Sequence, residues 1–94
     1  IDFVPVFIKV GDLDKTSPKK FIRTLGEAIV EETLLSDELS KLEIDKPVFD
    51  EVLSPPLAMY FKRIKKLLPK LRFIIIIDEF DEIPNELYRY TDIG

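Results

Sequence analysis

Two apolar stretches of the chain predict β-strands, and helical periodicity fills the part between them. Residues 2–10, DFVPVFIKV, are mostly β-branched or aromatic and predict a largely buried strand. Pro5 has no amide hydrogen to donate to a neighbouring strand, so we expect this strand at the edge of a sheet. Residues 72–77, RFIIII, predict a second strand. Its apolar residues do not alternate with polar ones, so we expect it to be buried on both faces.

Apolar residues recur at three- and four-residue spacing after the first strand, which is typical of an amphipathic helix. This helix is predicted at about residues 18–35, with Ser17 as its N-cap and Pro18 at its first position. A short helix is predicted after Ser36. The residues expected to face the core from the first helix are Phe21, Ile22, Leu25, Ala28 and Ile29.

A second long helix is predicted at about residues 56–68, with Ser54 as a possible cap. Another short helix is predicted from about residue 84. The residues expected to face the core from the second long helix are Leu57, Tyr60, Phe61, Ile64, Leu67 and Leu68.

The order strand, helices, strand indicates an α/β protein. Two strands joined by a long helical connection are parallel neighbours or are separated by other strands of one sheet. Helices on both sides of the sheet would bury the isoleucine strand and give a three-layer fold. Two strands alone do not make a stable sheet. Since the chain also begins at Ile1 rather than at Met, we expect it to be part of a longer polypeptide.

The composition narrows the possible chemistry. The 94 residues include no cysteine and no histidine, so thiolate metal sites, disulfides and imidazole bases are excluded from this segment. The net charge of −4 does not favour binding of nucleic acid by the chain as a whole. No apolar run is as long as a membrane span and no signal peptide is visible, so we expect a cytoplasmic protein without a membrane partner.

Four carboxylates follow the isoleucine strand within five positions: Asp78, Glu79, Asp81 and Glu82. Ligands of open α/β sheets bind beyond the carboxyl ends of the strands, where Asp78 would lie. Adjacent carboxylates repel each other, and a divalent cation relieves that repulsion. Mg²⁺ prefers one or two carboxylates together with water and phosphate oxygens. The simpler alternatives are an acidic, solvated turn for the first pair and the start of a helix for the second pair.

The stretch IIIIDEFDEIP resembles the Walker B motif of P-loop NTPases, in which apolar residues precede Asp and then Glu. The resemblance implies that Asp78 helps to hold Mg²⁺ and that Glu79 polarises the attacking water, as in AAA+ ATPases. The motif is also similar to that of NACHT and other STAND ATPases, whose later acidic pair matches Asp81 and Glu82. The water-activating carboxylate is therefore Glu79 or Glu82, and we favour Glu79 because it directly follows the metal aspartate.

By this resemblance, residues 1–94 are part of one P-loop ATPase domain, running from its edge strand to its Walker B segment. Mg²⁺ and ATP would be cofactors of the complete protein. Its function would be that of an ATP-driven signalling switch, a role that occurs in bacterial and archaeal defence. The expected partners are ATP and either further copies in a homo-oligomer or the rest of the parent chain. We do not expect nucleic acid to bind through this segment.

The phosphate-binding loop is the element of this resemblance that the chain lacks. That loop has the pattern G-x-x-x-x-G-K-[ST]. The three glycines, Gly11, Gly26 and Gly94, do not precede a Lys-[ST] pair. We therefore expect the loop upstream of Ile1 and no catalytic activity of this chain alone. The alternative is a non-catalytic α/β interaction module with an acidic edge. A two-metal nuclease is weaker because no lysine lies close to the acids in the sequence.

The segment KRIKKLLPKLR is the most basic part of the chain. It predicts either a patch for phosphate, nucleic acid or a protein partner, or a solvated helix face near the acidic strand tip. We favour the solvated face. Its six basic residues are Lys62, Arg63, Lys65, Lys66, Lys70 and Arg72.

Overall fold

The computed structural model describes residues 2–50 and 52–79. These residues form two strands and three α-helices, and a single 3-10 turn at Val10–Asp12 follows the first strand. The α/β class is confirmed, and each long element lies within two residues of its predicted bounds. The elements are β1 (Asp2–Lys9), α1 (Pro18–Thr33), α2 (Asp37–Ser40), α3 (Pro56–Leu67) and β2 (Leu71–Asp78). The helix expected from about residue 84 lies outside the described residues.

The two strands are parallel neighbours in one sheet, as the long helical connection predicts. The register pairs Asp2 with Leu71 at one end and Lys9 with Asp78 at the other. Both strands therefore finish at the same edge of the sheet. Pro5 is opposite Ile74, and in the part of the chain that the structure describes each strand is an edge strand.

The predicted N-cap is correct for α1 and wrong for α3. The Ser17 side chain accepts a hydrogen bond from the Lys20 backbone N at 3.2 Å, and Pro18 occupies the first turn, as predicted. The predicted cap of α3 is wrong by one position. Pro55 rather than Ser54 occupies the N-cap, and no side chain caps this helix. Ser36 is the N-cap residue of α2, but its side chain makes no cap hydrogen bond.

One hydrophobic core joins all three helices to one face of the sheet. Val6 and Ile8 of β1 are buried in it, and Leu71 anchors the start of β2. α1 supplies most of the helical contribution because its apolar residues share one side of the helix. The buried residues of α1 are Phe21, Ile22, Leu25, Gly26, Ile29, Val30 and Thr33.

Three specific contacts hold this layer together. A Cβ on Gly26 would lie 2.5 to 2.7 Å from ring carbons of Phe49, so glycine lets the loop after α2 approach α1. The hydroxyl of Thr33 in α1 lies 2.8 Å from that of Tyr60 in α3, and both side chains are buried. The ring of Phe61 in α3 lies 5.0 Å, centre to centre, from that of Phe73 in β2.

The opposite face of the sheet is uncovered within the described residues, and here the sequence predictions are wrong. Phe3 and Phe7 of β1 are 61% and 60% exposed, although a largely buried strand was expected. The isoleucine run is not buried on both faces either, because Ile74, Ile75 and Ile76 are 41–46% exposed. Within the described residues the helices cover one face only, which makes two layers rather than three and explains the exposure of Ile74 and Ile76. Ile75 lies on the helix side, opposite Val6, and borders a surface hollow beside α3 that leaves it partly exposed.

The helices themselves show two further features. Leu67, which was expected to face the core, is 57% exposed at the end of α3. Within the described residues, α1, α2 and α3 are each too short or too polar to cross a membrane.

Candidate site at the carboxyl edge of the sheet

The parallel register brings the carboxyl ends of both strands to one edge of the sheet. Asp78 is the last residue of β2 and is exposed there. It is held by a strand that pairs with β1 along its whole length. The position predicted from the motif is therefore a strand terminus at the edge where α/β sheets bind ligands.

The backbone turns sharply directly after Asp78. Glu79 has a φ of 61°, in the left-handed region that side-chain-bearing residues rarely adopt. Its backbone N donates a hydrogen bond to the Asp78 carboxylate at 3.0 Å (Oδ1). This bond fixes one carboxylate oxygen and stabilises a conformation that costs about 1–3 kcal/mol. Asp78 is thereby oriented at the strand tip, and Glu79 is the first residue beyond it.

Lys9 is a member of this edge that the sequence analysis missed. It is the register partner of Asp78, and neighbouring strands lie about 4.8 Å apart. Both residues are exposed. Lys9 therefore ends β1 at the same edge as Asp78, and it also lines an open groove between β1 and α1. In the sequence Lys9 is only the polar end of an apolar run, and its placement depends on the register of two strands that are about sixty residues apart.

The loop between β1 and α1 leaves from the same edge. One oxygen of Asp14 accepts hydrogen bonds from the Thr16 hydroxyl at 2.6 Å and the Thr16 backbone N at 3.0 Å. These bonds, the hydroxyl's first, hold the pKa of Asp14 below its ordinary value, with smaller contributions from nearby Lys20 and Arg23. The Asp14 backbone N also donates to the Thr24 hydroxyl, which ties the loop to α1.

An open groove of about 530 Å³ runs along β1 and α1 close to this edge. Thr24 and Ala28 of α1 and Leu13 of the loop contribute to its wall. Its charged lining is mainly acidic and consists of Lys9, Asp12, Glu27, Glu31 and Glu32.

The donor set at the strand tip fits Mg²⁺ better than it fits a closed metal site. No group of three or more metal-ligating side chains occurs among residues 2–50 and 52–79. Asp78 and Glu79 offer two carboxylates, which matches a cation that takes its other ligands from water and phosphate. Asp81 and Glu82 lie outside the described residues, so Glu79 and Glu82 both stay candidates for the water-activating role.

Comparison with models of known families, with curated proteins and with solved structures found no match to this chain. The ground for a functional proposal is therefore the arrangement of its own residues.

Proposed function

We propose that this chain supplies the Mg²⁺-binding and water-activating carboxylates of an ATPase domain of the STAND or AAA+ kind. The observation that supports the proposal is the Asp78–Glu79 pair at the carboxyl end of a parallel strand. The resemblance of the surrounding sequence to a Walker B motif supports it independently of the geometry. The expected setting is a nucleotide-driven signalling switch that works as a homo-oligomer.

Each residue of the edge has a distinct part in this proposal. Asp78 holds Mg²⁺, directly or through water, with the carboxylate oxygen that the Glu79 backbone leaves available. Glu79 orients and polarises the water, and Glu82 is the alternative residue for that role. The metal ion would neutralise phosphate charge in the bound nucleotide. Lys9 ends β1 at the same edge and would add a positive charge there.

The proposal requires a phosphate loop from outside these 94 residues, because no glycine of the chain fits that pattern. The intact mass of the natural protein is therefore the first measurement. A mass well above 10.9 kDa supports a longer ATPase polypeptide. A mass equal to that of the chain means that a partner must supply the loop.

The test uses the polypeptide that carries this chain together with a phosphate loop. We expect Glu79→Gln to lower ATP turnover by at least about 100-fold, since general base catalysis contributes on this scale. Mg²⁺-ATP at a concentration of about 100 times its Kd should stabilise the folded protein by about 2.7 kcal/mol. We expect Asp78→Asn to remove this protection against thermal unfolding. Asp45→Asn is the matched control, because Asp45 is an exposed carboxylate near the end of α3.

Two outcomes would contradict the proposal. One is undiminished turnover when Glu79→Gln and Glu82→Gln are combined. The other is equal heat protection in the Asp78→Asn and Asp45→Asn variants. If Glu82→Gln alone abolishes turnover and Glu79→Gln does not, the site stands but the water-activating residue is Glu82.

A second candidate function is a non-catalytic module that binds a basic partner through its acidic edge. The acidic groove between β1 and α1 favours it, because Glu27 and Glu31 are exposed there one helical turn apart. This candidate predicts no heat protection by Mg²⁺-ATP. It also predicts that a lysine-rich peptide binds and that Glu27→Gln with Glu31→Gln weakens that binding more than Asp78→Asn does.

A further inference from the structure

The outer side of α3 is a cationic surface opposite the side that packs on the core. Tyr60 and Ile64 are buried on the inner side. Arg72 is excluded from this surface because its guanidinium donates to the backbone oxygens of Pro69 and Leu71. We call the remaining exposed basic residues the cationic face. They are Lys62, Arg63, Lys65, Lys66 and Lys70.

The cationic face is solvent-exposed, as favoured from the sequence, and its Lys70 end lies far from the acidic strand tip. Lys70 directly precedes β2, whereas Asp78 is the last residue of that strand. At about 3.3 Å per residue the two positions are roughly 25 Å apart. This is about three Debye lengths at physiological ionic strength. Among residues 2–50 and 52–79, Glu43 and Asp45 line a hollow together with Arg63, Lys66 and Leu67 on one side of the face.

The charge of the chain is therefore strongly divided. No Asp or Glu occurs between Met59 and Arg72, while this segment carries six of the 14 basic residues. The other eight basic residues share the rest of the chain with all 18 acidic ones. An anionic ligand is thus attracted to α3 and repelled by most of the remaining surface.

Two exposed apolar side chains lie within or beside the cationic face. Met59 is 53% exposed and lines a surface hollow of about 600 Å³ with Lys62, Arg63, Lys65 and Lys66. Leu67 is 57% exposed, eight residues or about 12 Å further along the helix. Methionine adapts its shape to different apolar groups, which suits it to a contact surface. A ligand that fits both features is anionic and also carries apolar groups.

We propose that the cationic face binds an acidic segment of a partner protein that bears apolar side chains. Single-stranded nucleic acid is a poorer fit because binding relies on aromatic side chains for stacking, and the face has none. A bilayer is broad and would also meet Glu43 and Asp45 at the rim. A short acidic segment matches the roughly 18 Å length of α3 and meets Glu43 and Asp45 only at its Leu67 end, where those carboxylates line one hollow with Leu67. The proposal is independent of the nucleotide site.

The test is fluorescence anisotropy with the full 94-residue chain and a labelled glutamate peptide. The peptide carries two leucines spaced like Met59 and Leu67. We expect binding that weakens with added salt, and a loss of about tenfold or more with Lys62→Glu and Lys66→Glu together. The matched control is Lys19→Glu with Lys20→Glu, which makes the same charge change on exposed residues of α1. We expect the control to alter affinity by less than about twofold. Circular dichroism verifies that each variant is folded.

Apolar recognition is tested separately. Replacing the peptide leucines by serine should weaken binding about threefold to tenfold, and Met59→Ser should remove most of that difference. Asp78→Asn should leave peptide binding unchanged, which keeps this proposal distinct from the ATPase proposal. Three outcomes would overturn the inference: no binding at low salt, equal losses in both charge-reversal pairs, or tighter binding of a single-stranded oligonucleotide or phosphatidylserine vesicles through the same residues.

Discussion

The two faces of the sheet have similar apolar side chains but opposite surroundings. Val6 is fully buried under the helices, whereas its neighbour Phe7 is 60% exposed on the other face. The larger and more apolar residue is thus the one in contact with solvent. The comparison shows that side-chain type alone does not decide burial in this chain. The direction of a side chain along the strand, and the presence of a covering layer, decide it.

Within the described residues, the open face is a mainly apolar surface made by both strands, with Arg72 at one end. The register places Phe3 opposite Arg72, Pro5 opposite Ile74 and Phe7 opposite Ile76. Apolar patches of this kind mark contacts with other protein, and an uncovered edge strand adds a site for strand pairing. The covered face shows how the same sheet is stabilised once a layer is present.

The largest expected effect is the difference in stability between an aspartate placed on the covered face and one placed on the open face. Val6→Asp buries an unpaired carboxylate in the core and should cost at least about 3 kcal/mol. The free energy of unfolding of a domain of this size is about 5–14 kcal/mol, so we expect partial or complete unfolding of the Val6→Asp variant. Phe7→Asp should change stability by less than about 1 kcal/mol. Urea denaturation followed by circular dichroism measures both, and equal losses would contradict the assignment of the faces.

Self-association tests whether the open face lacks a covering layer. We expect the 94-residue chain to associate at micromolar concentration, and Phe7→Asp with Ile76→Asp to shift it towards the monomer by reducing exposed apolar area. Sedimentation velocity measures the proportions of monomer and larger species. The matched control is Leu35→Asp with Val48→Asp, which changes exposed apolar residues away from the sheet. A wild-type chain that is monomeric and unfolds cooperatively would refute the expectation of missing neighbours.

A smaller effect is expected where α1 meets the loop in the covered layer. Gly26→Ala adds a methyl group 2.5 Å from the Phe49 ring, and such overpacking costs about 1–3 kcal/mol. The better helix propensity of alanine offsets about 1 kcal/mol of that loss. We therefore expect a net decrease in Tm. Phe49→Leu should lower Tm less in the Gly26→Ala variant than in the wild-type chain, because the smaller side chain relieves the overpacking. Equal decreases in the two backgrounds would contradict the close approach of Phe49 to Gly26.

The buried hydroxyl pair predicts a coupling of about 1 kcal/mol between α1 and α3. Thr33 donates its hydrogen to the Val30 carbonyl oxygen at 2.6 Å, so Tyr60 is the donor in the 2.8 Å contact between the hydroxyls. Thr33→Val should leave the Tyr60 hydroxyl buried without its partner. In a double-mutant cycle, adding Tyr60→Phe to the Thr33→Val variant should therefore cost little more, which urea denaturation can measure. A coupling near zero would show that the hydroxyls do not interact.

The smallest expected effect is the difference in stability loss between alanine substitutions at the two serine N-caps. Ser17→Ala removes the side-chain hydrogen bond to Lys20 and should cost about 1 kcal/mol. Ser36→Ala removes no cap hydrogen bond and should cost less than about 0.5 kcal/mol. Thermal unfolding under identical conditions compares them. The reverse order would mean that α2 depends on its serine more than its geometry indicates.

Most of the secondary structure follows from local patterns in the sequence. The helical spacing from Phe21 to Ile29 predicts α1 and its buried side, and Ser17 predicts where it starts. The parallel direction of β1 and β2 follows from the length of the helical connection between them. The cap of α3 was misplaced because two successive prolines follow Ser54, and the local pattern does not show which residue begins the helix.

The candidate site divides in the same way. The sequence alone determined that Asp78 and Glu79 follow a buried-type strand, because the change from apolar to acidic residues is local. Only the tertiary structure brought Lys9 beside Asp78, since a register between distant segments depends on how the intervening helices pack. Likewise, the apolar character of both strands was readable from the sequence. The covered face depends on three helices packing on the same side of the sheet, a choice made by the long-range contacts of the core.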